Sequence, residues 1–188
     1  MSTERAYSTA DPAIVAAYRR AVAARKAAFD RLSADLKTLG AGPRVKAYAG
    51  TFPGSADTIT AIEQQGDHIP DGWRLVRGNL EPRRGKPGED ARRWLADHQP
   101  VDVRHAMESH GLPRAAWIPR GSDLGYRVVA PRLFEHDGTL WALYDAEPGT
   151  VEFDSGKCSW TPRKLSEFHA ADEAREDAAA AETAQVPA

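Results

Sequence analysis

His105, Glu108 and His136 are the residues whose types fit acid-base chemistry: two imidazoles to move a proton and a carboxylate to orient one of them. A small hydrolase or transferase built on them would need folding to bring His136 to the other two. On a helix His105 and Glu108 share a face, but His110 lies five positions from His105, roughly 140° around the axis. That is not the i,i+4 register of a metal-binding helix. The residues Gly85-Lys86-Pro87-Gly88 resemble a phosphate loop only in part, because Gly-x-x-x-x-Gly-Lys-Ser/Thr is absent and proline removes an amide donor. No nucleophile elbow, dinucleotide fingerprint or cysteine pair is written in the chain. The sequence therefore assigns no catalytic residue, metal ligand or cofactor, and points to a non-enzymatic interaction protein ahead of an enzyme.

A basic run offers binding chemistry instead. Arg74, Arg77, Arg83, Arg84, Lys86, Arg92 and Arg93 face only Glu81, Glu89 and Asp90, a local net of +4. Set beside Trp73 and Trp94, this segment could hold phosphates, with Arg77, Arg83, Arg84, Lys86, Arg92 and Arg93 as nucleic-acid contacts. The plainer reading is a solvated loop flanking two core tryptophans.

The first element to position such groups is a long helix between Asp11 and Gly40. Val15, Tyr18, Val22, Phe29, Leu32, Leu36 and Leu39 repeat at three-four spacing, interrupted by Arg25. Asp11 suits the N-cap, Pro12 the first turn and Gly40 a left-handed stop. Twenty-eight helical residues would reach roughly 42 Å. Part of the seam is therefore expected to meet a partner, a second copy or another protein, through Val22, Arg25, Phe29, Leu32 and Leu36.

The remaining pattern predicts an α+β fold, with the helix packed on a small, mostly antiparallel sheet. Residues 1–10 and 178–188 read as disordered ends of a single domain over 11–177, with sheet and inserted helices over 44–160. Strands are expected at 44–49, 58–62, 73–76, 126–130, 132–135 and 139–144, and residues 79–88 as a loop. Short helices follow at 89–98 and from Asp102 to Gly111, and a closing helix at 162–177 is capped by Thr161-Pro162. His136-Asp137-Gly138 marks one hairpin, and Asp154-Ser155-Gly156 a second between Val151–Phe153 and Lys157–Trp160. Trp73, Trp94, Trp141 and Trp160 are the expected core anchors.

At 188 residues with a net charge of -2, the chain has no global pull toward nucleic acid or acidic lipid. The lone Cys158 and the lack of a spanning apolar run point to a cytoplasmic protein with no membrane contact. Arginine-rich, alanine-rich usage resembles that of high-GC genomes. Together Val15-Ala16-Ala17-Tyr18-Arg19, Ile69-Pro70-Asp71-Gly72-Trp73-Arg74, Leu80-Glu81-Pro82-Arg83-Arg84-Gly85 and Leu165-Ser166-Glu167-Phe168-His169-Ala170-Ala171 resemble small accessory proteins of actinobacterial phages and prophages. The resemblance implies a binding role toward a host or phage component and supplies no functional residues of its own.

Overall fold

Asp11 starts the first helix as its type predicts. Its carboxylate accepts from the Ala13 amide at 2.9 Å and its carbonyl from the Val15 amide at 3.0 Å. The helix tightens into a 3-10 turn over Leu36–Leu39 and stops at Gly40, whose φ of 62° lies in the left-handed region.

The computed structural model describes residues 5–40, 46–50, 58–64, 66–117, 127–145, 151–154 and 159–184. In chain order the elements are β1 (Arg5–Thr9), α1 (Pro12–Asp35), β2 (Lys46–Gly50), β3 (Thr58–Glu63), β4 (Trp73–Val76), β5 (Asn79–Pro82) and α2 (Glu89–Asp97). There follow α3 (Val103–Glu108), β6 (Arg114–Trp117), β7 (Arg127–Val129), β8 (Arg132–His136), β9 (Thr139–Tyr144), β10 (Val151–Asp154), β11 (Thr161–Arg163) and α4 (Leu165–Ala184). The class is α+β, and the strand pairs among the described residues are antiparallel. No described helix is long and apolar enough to cross a membrane.

The expected single domain divides into two compact units, residues 1–19 with 104–188 and residues 20–103. Helix α1 supplies its first turns to one and the rest to the other. In the first unit the sheet order is β11-β1-β9-β8, and β10-β6-β7 form a separate sheet. Residues 5–9 are thus a strand where disorder was expected. Ala6, Tyr7, Ser8 and Thr9 are all buried because β1 lies between two strands and has side chains packed on both faces. Such a strand shows no alternation of apolar and polar residues.

Tyr7, Leu140, Ala142 and Tyr144 join Ile14, Val15 and Ala17 of α1, Met107 of α3 and Trp160 in one core cluster. Ala6, Phe134 and Leu143 meet Phe168 of α4 in a second. The Asp137-Gly138 hairpin forms as predicted, with φ of 47° and 70°. Strand β10 pairs with β6, and the second predicted hairpin falls largely on residues 155–158, Cys158 included, which lie outside the described residues. Thr161–Arg163 is edge strand β11 against β1, so α4 begins later than its expected cap, at Leu165.

Helix α4 also runs past the expected stop at 177, to Ala184. Its last large contact is polar and invisible to apolar periodicity. Buried Asp172 holds Arg132 at 2.7 Å and Arg175 at 2.9 Å. Those guanidinium carbons stand 5.1 Å from the Phe168 ring centre and 4.9 Å from that of Phe134. Trp73 and Trp160 are buried as expected, whereas Trp94 and Trp141 are half-buried.

In the second unit the sheet order is β2-β3-β5-β4. Residues 79–82, expected as loop, pair with β4 across Arg77-Gly78, whose φ values of 49° and 83° suit a two-residue hairpin turn. An arginine in the left-handed region is uncommon, which hides this turn from residue-type reasoning. The core gathers Leu32, Leu36, Ile59, Ile62, Trp73, Leu80, Ala91 and Leu95, with Phe29, Leu39 and Trp94 at its margin. Beyond the two β5 residues that pair with β3, the Gln99 side chain takes over as a neighbour. Its Oε1 accepts from the Ile59 amide at 2.8 Å, and its Nε2 donates to the Ile59 carbonyl at 2.9 Å.

Leu32 and Leu36 are therefore core residues and not a waiting surface. Leu32→Ala is expected to lower unfolding free energy by about 2–5 kcal/mol, read by urea denaturation. In the first unit the Arg19 guanidinium bonds Glu135, with Nε donating to Oε2 at 2.8 Å, and this hydrogen bond holds the Glu135 carboxyl below its ordinary value of 4.5 against the opposing effect of burial. Burial, then the Glu135 charge, pushes the nearby Tyr18 phenol up. A depressed carboxyl stabilises above its unfolded range and ceases to as pH falls through the folded value. Glu135→Gln should accordingly flatten the acid limb of a stability-against-pH curve by a small amount, since Arg19 is well exposed.

Candidate functional site

The basic segment is a braced arm, not a free loop. Strands β4 and β5 give it a rigid base, and α2 grips its far end. The Arg83 amide donates to the Gly72 carbonyl at 2.8 Å, and Arg83 Nε donates to the Trp73 carbonyl at 2.8 Å. Arg92 reaches back from α2, its two terminal nitrogens each 2.7 Å from the carbonyls of Arg83 and Gly85. Gly88 closes the brace, since a Cβ there would stand 1.9 Å from the Arg83 carbonyl oxygen. The chain passes too close for any other residue.

This geometry sorts the seven cations. Arg83 and Arg92 donate to backbone carbonyls and serve the brace. Arg74 pairs with Glu81 at 2.9 Å, and Arg93 with Asp90 at 3.2 Å. Arg77, at the hairpin turn, and Arg84 and Lys86, in the braced loop, are exposed. They sit beyond opposite ends of β5, whose four residues span about 13 Å at about 3.3 Å per residue. Trp73 is 1% exposed, and half-buried Trp94 packs edge-on against it at 5.9 Å, so both belong to the wall behind the arm. They are not positioned as free stacking platforms.

The predicted helix seam divides. Val15 and Tyr18 face the first unit's core, and Phe29, Leu32 and Leu36 face the second's. Between them Val22 is 41% exposed, and Arg25 lies with its guanidinium 5.2 Å from the Phe29 ring centre. Of the five expected partner contacts, Val22 alone is an exposed large apolar residue. Among the expected acid-base residues, His105 and Glu108 approach at 3.7 Å on α3, where Glu108 also meets Arg114 at 3.2 Å. Among the described residues no group of three or more His, Cys, Asp or Glu side chains is placed to hold a metal ion, and His136 lies on β8.

One buried polar group escaped the residue-type reading. His98, 6% exposed, follows α2 and stacks on Trp94 with ring centres 4.0 Å apart. Its Nδ1 stands 2.7 Å from the Trp94 carbonyl and its Nε2 2.7 Å from Asp35 Oδ2. Both ring nitrogens therefore face protein oxygens at hydrogen-bond distance. The i,i+4 spacing of Trp94 and His98 was available as a signal; the Asp35 contact, made across 63 residues, was not.

Comparison with protein-family models, curated proteins and solved structures finds no match to this chain. The brace itself can be tested. Gly88→Ala should open the 83–88 loop, visible as faster amide exchange there and new proteolytic sensitivity at Arg83 and Arg84.

Proposed function

We propose that this chain is a non-enzymatic binding protein whose second unit holds a nucleic-acid phosphate backbone through Arg77, Arg84 and Lys86. The observation that carries the reading is the braced arm. Two arginines and two close-packed glycines hold the loop in one shape, so its exposed cations meet an anion with little ordering left to do. Charge supports it: residues 20–103 carry fourteen Lys and Arg against eleven Asp and Glu, whereas the rest carries eleven against sixteen. The basic unit would approach a polyanion and the acidic one would avoid it. With both neighbouring tryptophans committed to the wall, recognition through these side chains would be of phosphate and tolerant of sequence. Such a module also suits the accessory role implied by the resemblance to small phage and prophage proteins.

Three phosphate contacts predict a salt dependence of log affinity on log salt with a slope of about -2 to -3. Fluorescence anisotropy with labelled duplex and single-stranded DNA at two salt concentrations would measure it. Arg84→Glu with Lys86→Glu should abolish measurable binding at moderate salt, and neutralising either one should reduce the slope by about one. Unchanged affinity in the doubly reversed variant would overturn the reading.

A further inference from the structure

We propose that the outer edge of β4 is a strand-addition site for an extended peptide with an apolar centre and acidic residues at both ends. In the sheet β2-β3-β5-β4, no described strand pairs with the far side of β4. The hairpin register decides which backbone groups face that side. Val76 and Asn79 flank the two-residue turn, and Arg74 stands opposite Glu81. The Arg83 amide donates to the Gly72 carbonyl at 2.8 Å, which continues the same alternation past the end of the strand. Residues 72, 74 and 76 therefore bond toward β5, and Trp73 and Leu75 point their N–H and C=O groups outward.

The chain closes one of these two positions itself. The Trp73 amide donates to the Pro70 carbonyl at 3.1 Å, and the Trp73 carbonyl accepts from Arg83 Nε at 2.8 Å. Leu75 has no such cover, and its side chain is 48% exposed, the largest value among the described large apolar residues. It lies opposite buried Leu80, so it continues the core-facing side of the sheet to its last strand. An added antiparallel residue would take both Leu75 backbone groups and set its own side chain beside the leucine. Charge defines the flanks of that partner. Arg77 follows β4 directly, and the 84–87 loop stands at its start, where a Cβ on Gly72 would come 2.8 Å from the Pro87 carbonyl oxygen. Arg77, Arg84 and Lys86 are exposed and carry no ion pair among the described residues. From Gly72 to Arg77 an extended chain covers about 16 Å at about 3.3 Å per residue, the length of about five peptide residues. Carboxylates at the ends of such a peptide meet cations, and its centre meets leucine. A nucleic acid would share these cations but would make no strand pairing at Leu75.

The test uses the full chain and a synthetic peptide, Glu-Glu-Val-Val-Val-Glu-Glu, blocked at both termini, with amide exchange followed by NMR. In the free chain the Leu75 amide should exchange fast while those of Arg74 and Val76 are protected. Saturating peptide should slow Leu75 about tenfold, and the counterpart Lys-Lys-Val-Val-Val-Lys-Lys should not. Leu75→Pro removes an outward N–H and no bond to β5, so it should keep the wild-type urea midpoint and lose peptide binding. Leu75→Asp covers the case in which the proline variant fails to fold: it keeps the N–H, sets a like charge against the peptide and should weaken binding about tenfold. The nucleic-acid reading is checked separately, by duplex DNA affinity, which Leu75→Pro should leave unchanged. A slowly exchanging Leu75 amide in the free chain, peptide protection that omits Leu75, or equal binding of the lysine peptide would overturn the proposal.

Discussion

A helix can bury an apolar stripe only where something lies beneath it, and α1 has two different cores beneath its two ends. Val15 belongs to one and Leu32 and Leu36 to the other. The three-four repeat persists through both because each core demands the same side-chain spacing from the same helix. The break at Arg25 falls where neither cluster claims a residue. A helix longer than one small core is wide need not seek a second molecule, because the rest of its own chain can supply the second surface.

Arginine does much of the remaining structural work, in three ways. Arg83 and Arg92 donate to backbone carbonyls of the arm and so tie its turns together. Arg132 and Arg175 combine a shared carboxylate with an aromatic face, so charge and hydrocarbon stems are used together. Arg19 reaches from α1 to Glu135 on the sheet. A planar fork with several donors serves each of these roles better than the single ammonium of lysine. Counting basic residues in the sequence therefore overstates the charge available to a ligand: of seven cations in the basic run, two are engaged with backbone and two with carboxylates.

The legible parts were those governed by neighbours in sequence. Asp11, Gly40 and Asp137-Gly138 carry their conformations in their own residue types. The class and the strands from β2 to β4 and from β7 to β9 follow from local pattern. What escaped depends on distant partners. Strand β1 has no alternation because it is buried on both faces, and Thr161–Arg163 resembles a helix cap until β1 comes to pair with it. The Arg77-Gly78 turn needs a backbone shape that arginine rarely takes. For the candidate site, residue types located the basic segment but could not say which cations face outward, since that is decided by carbonyls ten residues away and by the space left at Gly88.

The order of the sheet β11-β1-β9-β8 bears on how the chain is made. Residues 20–103 are one uninterrupted run, complete in composition long before synthesis ends. The other unit joins β1 to β9 and to β11, so its first strand must wait for more than 130 residues of later chain, on the register Arg5 to Tyr144 and Ala6 to Arg163. Closing that loop last carries an entropy cost that local contacts do not share. During synthesis the small, buried side chains of β1 have no partners to cover them, while the second unit is free to fold behind them. Strand β1 is thus made before either of the strands it pairs with and is among the last elements to find its place.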